Sequence, residues 1–235
     1  MVTAVISLLF CSFMAAHYRR TTLQVSVADY LVTQREYPPF YLLLLPLCML
    51  AVQFILRHEL MIAHILRVGS RRKLWMRQVA ALFKTACLFS TGYFLFVFLF
   101  ASFQSSLLIN WDQTNSLFYG TVKDTLTIPF AQVALVFLSS CFLGIMAEGL
   151  LFLLLQWLFH KSVISWIGIL ACACWDAFMY RFPLLAGQTS IHYRRWMSGD
   201  WSMRFMIVLA LCVAGIFIGV FRAGKKEFLH EGRPE

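Results

Sequence analysis

The chain has 235 residues, of which 60% are hydrophobic and only 13% charged, and its net charge is +9. A water-soluble domain carries about 25% charged residues, so this composition excludes a soluble globular protein and points to a polytopic membrane protein. The positive charge requires no nucleic acid, because basic loops facing an anionic leaflet account for it.

A spanning helix needs about 20 mainly apolar residues. Six runs read as spans: 2–18, 39–57, 78–103, 129–159, 162–182 and 204–222. The expected fold is all-α, a single transmembrane domain over 1–235 forming a six-span helix bundle. The run 2–18 lacks the basic n-region and small-residue cleavage site of a signal peptide and reads as a first span. Pro38-Pro39 marks entry to the second span, and Pro46 inside it predicts a kink. The fourth run is long enough to tilt or to extend out of the bilayer. The segment 183–203 contains Pro183, Gly187 and Gly199 among His192, Tyr193, Trp196 and Trp201. It is either a loop on the headgroups or a re-entrant segment.

Lysine and arginine set the orientation. Arg57, Arg67, Arg71, Arg72, Lys73 and Arg77 follow the second span, His160-Lys161 follows the fourth, and Arg222, Lys225, Lys226 and Arg233 follow the sixth. This set is denser than the basic residues of 19–38, 104–128 and 183–203. Both termini are therefore expected on the cytoplasmic side and those three loops outside. The seven cysteines lie in apolar runs without a Cys-x-x-Cys pair; they read as small buried hydrophobes, with no disulfide or metal role.

Catalytic motifs are weak. Gly219-x-x-x-x-Gly224-Lys225-Lys226 lacks the final Ser or Thr of a nucleotide-binding loop and ends an apolar helix instead of following a strand. His58, Glu59 and His64 lack the i, i+4 spacing of a zinc-protease helix. Intramembrane charge carries more information, because it is expensive. Lys84 and Glu148 both fall toward the cytoplasmic half. They either pair to lock the bundle, line a substrate path or relay protons. Asp176 lies nearer the outer face, beside Arg181, in a local ion pair or an external vestibule. The different depths of Glu148 and Asp176 argue against a shared active site. Ser140-x-x-x-Gly144 and Gly215-x-x-x-Gly219 permit close helix approach, within one subunit or between two.

The segment 58–77 has its own pattern. Leu60, Met61, Ile62, Ile65 and Leu66 form an apolar run flanked by His58, Glu59, His64 and Arg67, and Gly69-Ser70 breaks it. Arg71 follows, and Arg72, Lys73, Trp75 and Arg77 then read as a membrane-surface anchor with an interfacial tryptophan. The upstream half reads either as part of that anchor or as a short cytoplasmic helix that docks into a partner.

The Pro46 span ending in Arg57, the pattern Arg67-x-Gly69-Ser70-Arg71-Arg72-Lys73-x-Trp75, the His160-Lys161 turn and Asp176 together resemble one family. It is the membrane subunit of type-2 ATP-binding-cassette exporters, of the small six-span kind found in Firmicute bacteria near bacteriocin and lantibiotic genes. The resemblance covers the layout of the whole chain, and 57–77 carries its pattern. It implies a permease without catalytic residues or a directly bound cofactor, with ATP and Mg on a separate cytoplasmic ATPase dimer. It also implies a second permease copy or paralogue, a bacterial cytoplasmic membrane location, and an antimicrobial peptide or other amphipathic substrate. The matching coupling region is about 58–73, with Glu59, Leu60, Ile62, Ile65, Leu66, Arg67, Gly69, Ser70 and Arg71 as its contact residues. The amphipathic helix that often opens such exporters is not evident, since an apolar run starts almost at Met1. The competing expectation is a membrane scaffold or peptide-immunity protein that needs no ATPase.

Overall fold

A computed structural model describes residues 23–36, 40–56, 70–159, 162–179 and 182–225, together with isolated positions 9, 12, 13 and 17. The described chain is all-helical, with a single isolated bridge between Gln24 and Ser116 as its β-type pairing. The helices are α1 (Val27–Glu36), α2 (Leu45–Leu56), α3 (Arg71–Gln104), α4 (Leu117–Val122), α5 (Phe130–Phe159), α6 (Ser162–Phe178), α7 (Tyr193–Ser198) and α8 (Asp200–Lys225). A π-helical turn, Phe40–Leu44, precedes α2, and a 3-10 turn, Ala186–Thr189, precedes α7.

Three of these helices, α3, α5 and α8, are long and apolar enough to cross a membrane. A fourth crossing exists if α1 and Phe40–Ile55, bent by 61° from each other, count as one broken span. At 1.5 Å per residue, the 34 residues of α3 extend about 51 Å, well beyond a hydrocarbon core of about 30 Å. α6 has only 17 residues, or about 25 Å. The expected first span, 2–18, lies outside the described residues apart from positions 9, 12, 13 and 17.

α5 is the centre of the bundle. α3 runs antiparallel to it, with Trp75 against Trp157 at one end and Phe98 against Phe130 at the other. α6 returns antiparallel along α5, where Trp166 meets Phe152 edge-on. α8 runs parallel to α5, with Gly215 against Leu150 and Leu154. Tyr93 of α3 stacks on Phe137 of α5 and touches Phe40 of the π turn, joining three elements in one core.

Two sequence expectations change here. The stretch 19–38, read as a loop, contains α1, and every side chain from 26 to 35 is buried. Its first-turn donors, Val27 and Ala28, are taken by the carbonyls of Leu107 and Leu108 at 2.9 and 3.0 Å, which meets the usual shortage of partners at a helix start. Pro46, where a kink was expected, is preceded by a change of winding, and the sharp bend lies elsewhere. The winding widens to π just before the proline, which has no N–H to offer, and the 61° bend falls between α1 and Phe40.

Segments 23–36, 104–128 and 182–200 gather at one end of the bundle. Trp111 stacks on Phe118 at 4.7 Å and meets Tyr193 and Trp196 edge-on. The opposite end carries the first turn of α3, with Arg72, Lys73 and Arg77 exposed.

Candidate functional site

The polar centre of the molecule forms around the turn 183–190, which packs on α5 beside Ser140 and Gly144, near the middle of that helix. A non-helical backbone within an apolar bundle must find all its partners internally. Charged side chains supply them from two sides. Asp176, at the end of α6, accepts hydrogen bonds from the backbone N–H groups of Leu184, Leu185 and Gly187 at 2.5, 3.2 and 2.8 Å. A Cβ at Gly187 would lie 2.7 Å from the Asp176 carboxylate and 2.8 Å from Pro183, so the turn requires glycine there.

Arg35 takes the other side. It sits in the last turn of α1, where a cation suits the helix dipole, and it is fully buried. Nε donates to Ser140 Oγ at 2.7 Å, and Nη2 donates to Ala186 O at 2.8 Å and to Thr189 Oγ1 at 2.6 Å. Ser140 Oγ in turn donates to Thr189 O. The guanidinium lies 3.8 Å from the Phe40 ring centre and 5.2 Å from that of Tyr41, a contact worth about 2 kcal/mol when desolvated. A Cβ at Gly144 would approach Arg35 Nη2 to 3.0 Å and Thr189 Oγ1 to 3.2 Å. Ser140 and Gly144, expected as a helix-packing pair, therefore seat an arginine and a turn of the same chain.

Arg195 closes the turn from the end of the bundle, donating from Nη1 to Ser190 O at 2.6 Å and Ser190 Oγ at 2.7 Å. Arg204 donates to Gln188 Oε1 at 2.7 Å. The carbonyls of Ala186 and Ser190 are thus held by arginines, that of Thr189 by Ser140, and the N–H groups of Leu184, Leu185 and Gly187 by an aspartate.

Glu148 stands one helical turn beyond Gly144. It is fully buried, and neither carboxylate oxygen has a hydrogen-bond partner. Lys84 does not meet it, because Lys84 is exposed on the outer face of α3. The electrostatic neighbours of Glu148 are instead Asp176 and the Ala186 N–H, which approaches without hydrogen-bond geometry. The separation of Glu148 and Asp176 by depth therefore does not hold. The turn draws both carboxylates to its backbone, since α6 is short and folds back at the level of mid-α5. The Asp176–Arg181 ion pair involves Arg181, which lies outside the described residues; Asp176 itself is occupied by the turn.

A second buried acid organises the loop end. Asp29 accepts from Ser26 N and Ser26 Oγ, both at 2.8 Å, from Trp111 Nε1 at 2.8 Å and from Tyr193 OH at 3.0 Å. Neither Asp29 nor Arg35 was singled out by hydropathy or motif. A signal existed for the first. Ser26-x-x-Asp29 is a capping box, in which the acid reaches back to the N–H of the capping residue, and it announces a helix starting at Val27.

Of the coupling segment, Glu59, Leu60, Ile62, Ile65, Leu66, Arg67 and Gly69 lie outside the described residues. Ser70 is the N-cap of α3 and Arg71 its first residue. Arg71, Arg72 and Lys73 thus crowd the positive end of a helix dipole, where cations are unfavourable. Arg72 reaches the last turn of α8, where its guanidinium lies against Gly224 at the negative end of that helix. Trp75 departs from its expected interfacial place. It is fully buried, donates from Nε1 to Ile216 O at 3.2 Å, and meets Trp157 edge-on. Gly219 exposes the backbone on which the Trp75 indole rests, so Gly215-x-x-x-Gly219 packs α8 against α5 and α3 of its own chain. Arg72, Lys73 and Arg77 remain exposed. Among the described cysteines all are free. Cys48, Cys141 and Cys212 are buried, whereas Cys174 is exposed.

Comparison with protein-family models, with curated proteins and with solved structures gives no match to this chain.

Proposed function

We propose that this chain is the permease subunit of an ATP-driven exporter, energised by a separate ATPase that docks on the basic end. In this reading it is a multi-pass protein of a bacterial cytoplasmic membrane, with six spans and both termini inside. Region 2–18 supplies the first span, Phe40–Leu44 with α2 the second, and α3, α5, α6 and α8 the rest.

The observation that carries the reading is the polarity of the bundle. The three segments assigned to the outer side by charge pack together at one end. The start of α3, which follows the coupling region, lies at the other. A permease needs this separation, because its ATPase contact and its outer mouth belong on opposite faces. The short α6 is compatible with this, since its 17 residues sit at the lower limit for a span and the buried turn after it continues toward the outer end. The substrate class, an antimicrobial peptide or other amphipathic molecule, rests on the resemblance of 57–77 to small type-2 exporters.

Co-purification from the native host tests this. A tagged chain should bring down an ATPase whose turnover depends on the chain's presence. Replacing Leu66 and Arg67 together by Asp and Glu should abolish that association and leave membrane insertion intact. Recovery of the chain alone from gently solubilised membranes would favour a scaffold or immunity protein that works without an ATPase.

A further inference from the structure

Among the buried side chains around the central turn the charges do not balance; Arg195 and Arg204, which also hold the turn, are only half-buried. Arg35 contributes one positive charge, and Asp176 and Glu148 one negative charge each, all within fully or almost fully buried side chains. Asp176 is satisfied by three N–H groups. Glu148 has no partner on either oxygen. An isolated ionised carboxylate in an apolar interior is too costly to persist, and intramembrane acids that survive this cost are usually functional.

Among the described residues, no cation donates to Glu148. α6 brings Asp176 and the Cys172 thiol toward Glu148. α1 brings Arg35 to Gly144, where Nε and Nη2 donate to Ser140, Ala186 and Thr189 and Nη1 has no hydrogen-bond partner. The π turn contributes Tyr41. Along α2 and the middle of α8 the titratable groups are the thiols Cys48 and Cys212, and Lys84 of α3 is exposed. The charged residues of α8 lie near its ends, at Asp200, Arg204, Arg222 and Lys225.

We propose that Glu148 is an acceptor site for one small positive charge held inside the bundle, a proton or a monovalent alkali cation. The Asp176 carboxylate nearby adds attraction for that charge while remaining tied to the turn. Because Glu148 and Asp176 face the same short backbone segment, occupancy of the site bears on the packing of the turn against α5. This inference does not depend on the permease reading and needs no ATPase for its test.

The full chain in nanodiscs of neutral phospholipid is treated with dicyclohexylcarbodiimide, which adds to carboxylic acids in apolar surroundings. Peptides carrying Glu148 and Asp176 are then quantified by mass spectrometry. Parallel samples hold sodium, potassium or choline chloride, from mildly acidic to mildly alkaline pH. Modification of Glu148, with Asp176 largely spared, is expected. Protection of roughly fivefold by sodium or potassium over choline identifies an alkali cation, as mass action requires for a ligand that competes with the reagent. Loss of labelling with rising pH alone, in all three salts, identifies a proton. Melting temperature gives an independent reading. Cation or acid should stabilise the wild type and leave Glu148→Gln, which is neutral and of the same shape, unresponsive. An unmodified Glu148 in every sample, with identical salt and pH responses of the two chains, overturns the proposal.

Discussion

Asp29 and Trp111 stand 82 positions apart and are joined by a 2.8 Å hydrogen bond from the indole Nε1 to the carboxylate Oδ1. The same oxygen accepts from Tyr193 OH at 3.0 Å. One carboxylate therefore ties together three segments that are far apart in the chain. Its other oxygen starts α1 through Ser26, so the local helix signal and the long-range tie meet in one side chain.

Replacing Asp29 by Ala should loosen this end as a unit. The change leaves the Trp111 N–H and the Tyr193 OH buried without an acceptor, and each orphaned donor costs about 1–3 kcal/mol. Limited proteolysis should cut within 104–128 and 183–203 at much higher rates than in the wild type. Trp111→Phe removes one donor and retains most of the ring packing, so its effect should be smaller. Equal protection in the Ala variant would show that the aromatic cluster holds the loops without the acid.

Arg35→Lys keeps the charge and loses the fork that reaches Ser140, Ala186 and Thr189 together. An ammonium cannot span these partners from one position. The variant should melt well below the wild type in detergent, and the exchange should be worse than a surface Arg-to-Lys change such as Arg77→Lys. Gly144→Ala probes the same contact from α5. A Cβ there needs Arg35 and Thr189 to move by a few tenths of an ångström, which predicts a smaller loss than Arg35→Lys. A wild-type melting temperature for Arg35→Lys would remove the arginine from the list of groups that hold the turn.

The basic end divides into packing and surface residues. Trp75→Ala opens a cavity among Trp157, Ile216 and Gly219 and should cost about 3–5 kcal/mol of stability. Replacing Arg72 and Lys73 by Gln should change stability little, because it removes cations from the N-terminus of α3 and also the Arg72 contact with the last turn of α8. The double variant should bind vesicles containing phosphatidylserine more weakly, by about 1 kcal/mol per residue at low salt. Association of the chain in nanodiscs of neutral lipid with such vesicles, compared across salt concentrations, measures this. Unaltered binding would assign the attraction to other basic residues.

Hydropathy located α3, α5 and α8 well, because each contains a long run of apolar side chains whose burial in lipid or protein is favourable residue by residue. It missed α1, which has Asp29, Thr33, Gln34 and Arg35 within ten residues. Such a helix looks soluble when each side chain is counted alone. It is buried because its polar groups meet specific acceptors and donors elsewhere: Asp29 at Trp111 and Tyr193, Gln34 at Tyr93 OH, and Arg35 at Ser140. The capping box at Ser26 was legible as a helix start. The destination of that helix was not.

The candidate site divides the same way. Glu148 and Asp176 were visible from sequence as charges within apolar runs, and Arg35 was hidden by its place in a stretch that reads as a loop. Trp75 beside a basic cluster reads as an interfacial residue, and only the bare backbone of Gly219, more than a hundred positions later, shows why it turns inward.

Composition and the spacing of apolar runs determined on their own that this protein is a bundle of long apolar helices with many of its basic residues clustered at the ends of the apolar runs. Those properties depend on the transfer of side chains from water, which is nearly additive along a chain. The tertiary structure alone decided which polar groups are buried, which are satisfied and which are left over. That outcome depends on directional hydrogen bonds between residues distant in sequence, where a shift of an ångström separates a paired charge such as Asp176 from an unpaired one such as Glu148.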